Sequence, residues 1–542
     1  MKITSLSSTR AQLYAALIAC ILGLTLSNTA VKADTSYVQA KTAQGIVKGE
    51  HLKSGINAFR GIRYAAPPVG ALRFKAPEAP EAWAGTYNAL EFPPACPQTL
   101  TEDDTEIKYD PISEDCLGLN IWTPGVDHKK RPVMVWIHGG GFVVGATSSN
   151  WYNGQHLANR GDVVVVSINY RMGAWGFLAL GLLGDERYAE SANVALLDQI
   201  ASLKWVKDNI ENFGGDPNNV TIFGESAGAA SVGDLLAMPQ SADLFHKAIL
   251  QSGGPLRDAG RTERAIKLTK RFMELAGAKT ADDLQALSME DLLHVQEKLF
   301  SEGGDLGVFG HIVDGVVLKE APHRTIAAGK GHRVPVLIGT TFEEMRYFAT
   351  AEDLGITRKP KELLLKQMTD IAGDKAQYII DAYRAEYPEW GDTVIQIASD
   401  VALRLPAIDL AADMYKMQPV YMYLFTYRSN STHKSYGGSH AMEIPFVFGV
   451  INEPNVQVFT GDDPRRAEIA NNTMDIWASF ARNGDPDTPA TPDWATYDTE
   501  QRQTMEIGPE IRLVSDPMSA QRRAWGETRA SVEQSWSLMG ND

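Results

Sequence analysis

Val220-Thr221-Ile222-Phe223-Gly224-Glu225-Ser226-Ala227-Gly228-Ala229-Ala230-Ser231-Val232 is the stretch on which the fold turns. The apolar and β-branched run from Val220 to Phe223 predicts a strand, and Ala229 to Met238 predicts the helix that follows. Between them Ser226 has a glycine two positions to either side. Small residues there let a strand turn sharply into a helix without side-chain clashes, which leaves the serine hydroxyl projecting at the turn. A hydroxyl is a poor nucleophile until a base removes its proton, so this turn is a reason to look for a histidine and a carboxylate elsewhere in the chain.

Upstream, Leu196, Ile200, Leu203, Val206 and Ile210 recur at spacings of four, three, three and four, which predicts an amphipathic helix from Asn193 to Phe213, stopped by Gly214-Gly215-Asp216-Pro217. Val133 to Ile137 and Val163 to Ile168 read as strands without polar alternation, as expected where both faces are buried. Further strands are predicted at Ala248 to Gln251, Val334 to Ile338 and Val420 to Tyr427. The segments 255–320 and 350–415 look largely helical, and no Pro/Gly/Ser-rich linker flanks either, so they read as insertions covering the sheet. The expectation is an α/β fold, a mostly parallel central sheet flanked by helices, in one domain over residues 34–542.

Lys2 and Arg10 precede an apolar stretch from Leu13 to Leu26, and Val31-Lys32-Ala33 offers small residues for cleavage before Asp34. Residues 1–33 therefore read as a cleavable signal peptide, and the mature protein as secreted or periplasmic. The apolar run is shorter than the roughly 20 residues of a membrane span, so no stable membrane association is expected. Leu17-Ile18-Ala19-Cys20 fits a lipoprotein box less well, because apolar residues continue beyond Cys20. Cys96 and Cys116 then remain in an oxidising compartment, where a disulfide between them is the expectation and two buried thiols the alternative. A formal net charge of −16 disfavours nucleic acid as the main partner, since phosphate binding draws on clustered Lys and Arg.

His138-Gly139-Gly140-Gly141-Phe142 directly follows the strand that ends at Ile137. Three consecutive glycines are an entropic liability, which suggests that backbone amides are what this loop supplies. It can point the amides of Gly140 and Gly141, joined by that of Ala227, at an oxygen that becomes negative when a carbonyl is attacked. Among 11 histidines no pair has the helical spacing of a metalloprotease and no Cys/His cluster has zinc spacing, so neither metal nor cofactor is implied. His440, in Gly437-Gly438-Ser439-His440-Ala441-Met442-Glu443, is the candidate base, with His433 as the nearby rival. Gly339-Thr340-Thr341-Phe342-Glu343-Glu344, at a strand end between serine and histidine, offers two adjacent carboxylates, in the order serine, acid, histidine that such hydrolases use.

The chain resembles the type-B carboxylesterases, the group that includes cholinesterases and bacterial para-nitrobenzyl esterases. The resemblance runs from about Phe59 to Tyr497 and rests on Phe59-Arg60-Gly61-Ile62-Arg63-Tyr64-Ala65 with Pro67-Pro68-Val69-Gly70, Ser113-Glu114-Asp115-Cys116-Leu117, the glycine loop, Asn169-Tyr170-Arg171, Leu197-Asp198-Gln199, Phe213-Gly214-Gly215-Asp216-Pro217, the serine turn and Gln251-Ser252-Gly253. It implies an α/β-hydrolase fold and hydrolysis of small carboxylic esters through an acyl-enzyme on Ser226, with His440 as base and Glu344, the second of the pair, as acid. Glu443 and Phe446 fit the family's pattern after the histidine, and the family's first disulfide corresponds to Cys96 with Cys116.

Departures from the pattern are Met345 for a usual glycine after the acid, Arg63 for a proline, Gly118 for a tyrosine, and Ala192 and Ala195 for glycines. No tryptophan lies between Cys96 and Cys116, where the cholinesterases carry one for the choline cation, so a choline ester is not supported. A long-chain lipase is the alternative within enzymes. A non-catalytic adhesion protein is the alternative outside them, set against the presence of every expected catalytic residue type. A histidine base predicts activity falling below about pH 6.5. Oligomeric state is not legible.

Overall fold

Val133, Val135 and Ile137 bury against one side of the sheet while Met134 and Trp136 bury against the other, so this strand is apolar on both faces of its pleat. The same holds for Val164 and Val166 against Val165. A computed structural model describes residues 36–99, 111–257, 261–302, 309–350 and 355–530, with Gln534 and Leu538. The signal-peptide and Cys20 readings lie outside the described residues.

The described strands are β1 (Tyr37–Lys41), β2 (Ile46–His51), β3 (Asn57–Arg63), β4 (Thr86–Asn88), β5 (Gly118–Thr123), β6 (Arg131–Ile137), β7 (Val164–Ile168), β8 (Gly215–Glu225), β9 (Lys247–Gln251), β10 (Val336–Thr341), β11 (Val420–Phe425), β12 (Gln503–Ile507) and β13 (Arg512–Ser515). They form one sheet in the order β1-β2-β3-β5-β7-β6-β8-β9-β10-β11-β12-β13, with β4 on β2. From β7 to β12 every neighbouring pair is parallel. The flanks β1-β2-β3-β5 and β13 are antiparallel additions. The chain is an α/β hydrolase in architecture.

Both faces are covered by helices. Val194–Asn209 and Ala227–Leu235 pack on one, Gln155–Gly161 and Arg466–Asn483 on the other. Segment 255–320 carries helices Arg261–Ala276, Ala281–Ala286 and Met289–Ser301, and segment 350–415 builds a helical layer with its own apolar cluster around Ile379, Tyr383 and Ile395.

Around the serine turn the structure differs from the sequence reading in element bounds and in the character of the helix upstream. The strand before Ser226 starts at Gly215, whose register partner is Arg131, so only Gly214, at φ +78°, stops the preceding helix. The next helix starts at Ala227 and ends at Leu235, ahead of Pro239. Helix Val194–Asn209 is not amphipathic in the expected sense, because polar residues on its flank are buried as well: Asp198 pairs with Arg171 at 2.6 Å, and Gln199 donates to the Ser231 hydroxyl at 3.0 Å. Cys96 and Cys116 form a disulfide, with Cα atoms 5.0 Å apart.

Candidate active site

Strands β6, β8, β9, β10 and β11 are consecutive neighbours and all parallel, so their carboxyl ends open on one edge of the sheet. The segments that leave those ends carry, in turn, the glycine loop, Ser226, Ser252, Glu344 and His440. Residues far apart in sequence thus meet because the strands that precede them are adjacent.

Ser226 sits at φ +55° and ψ −121°, a strained conformation for a side-chain-bearing residue, held by its N–H donating to the Gln251 carbonyl at 2.9 Å and its carbonyl accepting from Ala230 N at 2.9 Å. A methyl added at Gly228 would lie 2.0 Å from the Ile137 carbonyl oxygen, and one at Gly224 would lie 2.6 Å from the Gly228 carbonyl carbon. The two glycines are required because the helix leaving the turn runs directly against β6.

Gly140 holds φ +100° and Gly141 φ +59°, and a methyl on Gly140 would lie 2.0 Å from the Val144 carbonyl oxygen. The Gly140 carbonyl accepts from the N–H groups of Val143 and Val144 at 3.0 Å each. Among the described residues no protein acceptor takes the N–H of Gly140 or Gly141. Ala227 opens its helix, where an N–H has no intrahelical partner.

His440 is buried, and its Nδ1 lies 2.7 Å from Glu344 Oε2. Glu344 is fixed in turn by the Ser252 hydroxyl at 2.6 Å and the Thr341 N–H at 2.7 Å, both donating to Oε1. The His440 N–H donates to the Glu344 carbonyl at 3.1 Å. On the other side of the ring, Nε2 lies 3.0 Å from Glu225 Oε1, an electrostatic approach outside hydrogen-bond alignment. Burial alone would lower the His440 pKa, but Glu225 and Glu344 outweigh it and hold it well above the ordinary histidine value. Glu443 is also buried here, accepting from Gln251 Nε2 at 3.2 Å, and burial together with Glu225 and Glu344 pushes it up to about 8.

His433 is exposed. Glu343 turns away from the imidazole into Arg346 and Arg428, at 2.7 and 2.6 Å. Burial would raise its carboxyl, but Arg346, the Gly438 N–H and Arg428 outweigh it and hold it below its ordinary value. Met345 is buried in the cavity wall, and its N–H donates to the Ser399 hydroxyl at 3.0 Å. Gly118 leaves no room for the family's tyrosine, since a Cβ there would lie 2.7 Å from Pro93 Cβ.

Ser226, Gly140, Gly141, Ala227 and His440 line one cavity of about 760 Å³ whose walls include Phe142, Leu256, Met345, Phe348, Leu405 and Trp525. The sequence reading missed the parts played by Glu225, Ser252 and Glu443. Each stood inside a matched motif, but a motif carries no information about which side chains meet across loops.

A serine at a strained strand-to-helix turn, an upstream glycine loop and a downstream carboxylate and histidine define an α/β hydrolase of the acyl-transfer kind. The chain belongs to the carboxylesterase family, whose model matches residues 35–525. It is 37% identical to the para-nitrobenzyl esterase of Bacillus subtilis over 89% of this chain and 97% of that protein, and 33% identical to liver carboxylesterase 1 of Oryctolagus cuniculus over 86% and 88%. The structure of a Geobacillus stearothermophilus carboxylesterase superposes with a TM-score of 0.80 at 38% identity, covering 90% of this chain and 99% of that one. The protein is a serine hydrolase acting on carboxylic esters.

Proposed function

We propose that this esterase works through Ser226 as nucleophile, His440 as general base and acid, and Glu344 as the carboxylate that orients the imidazole. The observation that carries the reading is the 2.7 Å contact from His440 Nδ1 to Glu344 Oε2, in a cavity whose wall also holds Ser226 and the glycine loop. A carboxylate at Nδ1 keeps that nitrogen protonated and makes Nε2 the nitrogen that takes up and gives back the proton.

In the first half-reaction Ser226 Oγ attacks the ester carbonyl as His440 Nε2 takes the hydroxyl proton. The carbonyl oxygen becomes an oxyanion facing the N–H groups of Gly140, Gly141 and Ala227. Collapse re-forms the carbonyl and breaks the bond to the alkoxy oxygen, which leaves as the alcohol with the proton from His440. Water then attacks the acyl-serine by the same route, releasing the carboxylic acid and restoring the Ser226 hydroxyl.

Residues 34–542 would act as one catalytic unit behind a signal peptide at residues 1–33, exported to the periplasm or beyond. The disulfide supports an oxidising destination. The substrate is a small-molecule ester, and the cavity volume suits acyl or alcohol groups well beyond acetyl. Steady-state hydrolysis of 4-nitrophenyl esters of graded chain length by the wild type, Ser226→Ala and Glu344→Gln tests the assignment. Ser226→Ala should lose at least about 10⁴-fold in kcat and Glu344→Gln about 10³- to 10⁴-fold. A rate in Ser226→Ala equal to the wild type would overturn the mechanism, and a preference rising toward long chains with activation at an oil surface would favour a lipase.

A further inference from the structure

We propose that Glu343 is a positioning residue for the reaction, fastening the loop that carries the acid to the loop that carries the base and so fixing where the His440 ring stands. The inference rests on the roles given above to Glu344 and His440, but concerns a side chain outside that triad.

Two loops, 342–345 and 437–440, must hold their catalytic side chains in register although neither belongs to a strand. They are stitched by three backbone-anchored bonds. Glu343 N–H donates to the Gly438 carbonyl at 2.8 Å, Gly438 N–H donates to Glu343 Oε2 at 2.9 Å, and His440 N–H donates to the Glu344 carbonyl at 3.1 Å. The Glu343 carboxylate is the centre of this seam. Arg428 grips it with both Nε (3.0 Å to Oε2) and Nη2 (2.6 Å to Oε1), and Arg346 Nη2 reaches Oε1 at 2.7 Å while also holding Asp392 at 2.6 Å.

A buried carboxylate is tolerated only when such partners replace its water, and here two guanidiniums and an amide do so. The Arg428 guanidinium also lies over the Phe342 ring, 5.1 Å from its centre, which ties the clamp to the residue before Glu343. The base loop is shaped around the same oxygen. Gly437 holds φ +57°, and a methyl on it would lie 2.6 Å from Glu343 Oε2 and 2.6 Å from Arg346 Cδ. The anchor at Gly438 is two residues from His440, so loosening it moves the imidazole rather than a remote surface. Displacements on the order of 1 Å between reacting groups cost about 10²-fold in rate.

The test compares Glu343→Gln, which keeps shape but loses charge, with Arg428→Gln, which removes one arm of the clamp through a half-exposed side chain. kcat and KM are measured from pH 6 to 10 alongside thermal unfolding, with Ser226→Ala and Glu344→Gln as references. On the alkaline plateau, where His440 is neutral, Glu343→Gln should lower kcat about 10- to 100-fold with KM within about twofold, and Arg428→Gln should lower it about 3- to 10-fold. The midpoint of the acid limb should fall in both as the His440–Glu344 contact loosens. A plateau kcat within about twofold of the wild type in Arg428→Gln and in any folded Glu343→Gln would overturn the proposal, whatever the melting temperatures. Failure of the triad itself would show differently, as wild-type kcat in Ser226→Ala or Glu344→Gln.

Discussion

Ser226 holds a backbone conformation that costs about 1–3 kcal/mol, and the price is met by the sheet and helix that clamp it: Gln251 and Ala230 take its backbone bonds, and the glycines at 224 and 228 admit β6. His440 is subject to two opposed influences, burial and a pair of carboxylates, and the carboxylates win. A base with a raised pKa stays protonated, and so unable to accept from Ser226, over a wider acid range. The rate then falls as pH drops through that raised value, so the acid limb of kcat/KM should have its midpoint above the 6.5 of an unperturbed histidine rather than at it. A pH–rate profile on a neutral ester checks this. A midpoint at or below about 6.5 would mean that Glu225 and Glu344 do not act on the free enzyme's imidazole as the geometry requires.

At the scale of elements, the segment after β7 links the sheet to the glycine loop. Asn169-Tyr170-Arg171 is held by the fully buried Arg171–Asp198 pair, with the Arg171 N–H also donating to Asp198 at 3.1 Å, and the Tyr170 hydroxyl donates to the His138 carbonyl at 2.8 Å. Breaking such a pair by removing one partner strands the other charge away from water. Asp198→Ala should therefore cost about 3–5 kcal/mol in unfolding free energy, measured by urea denaturation. Because that segment reaches His138, the folded fraction should also lose activity beyond what its population explains. A loss under about 1 kcal/mol would show the guanidinium finding water or another partner.

Over the whole molecule, what the sequence made legible is what depends on local pattern. The parallel strands β6 to β11 announced themselves because burial on both faces makes them continuous apolar runs, whereas β1, β2 and β13 carry exposed and polar positions, as in Lys48, Glu50 and Arg512, and passed unread. Ser226 and the glycine loop were legible because their backbone geometry demands glycine. The choice of Glu344 over Glu343, and of His440 over His433, came from family resemblance, since neighbouring residues of like chemistry differ only in which way the loop turns them. The encounters of Glu225, Ser252 and Glu443 with the site are set by strand order and could not be read along the chain. The central claim, that Ser226 carries the acyl group, is tested most directly by mixing the enzyme with 4-nitrophenyl butyrate, quenching in acid within milliseconds and mapping the adduct by mass spectrometry. The account predicts a burst of about one nitrophenol per chain with butyryl on Ser226 and neither in Ser226→Ala; an acyl group on another residue, or an undiminished burst in Ser226→Ala, would contradict it.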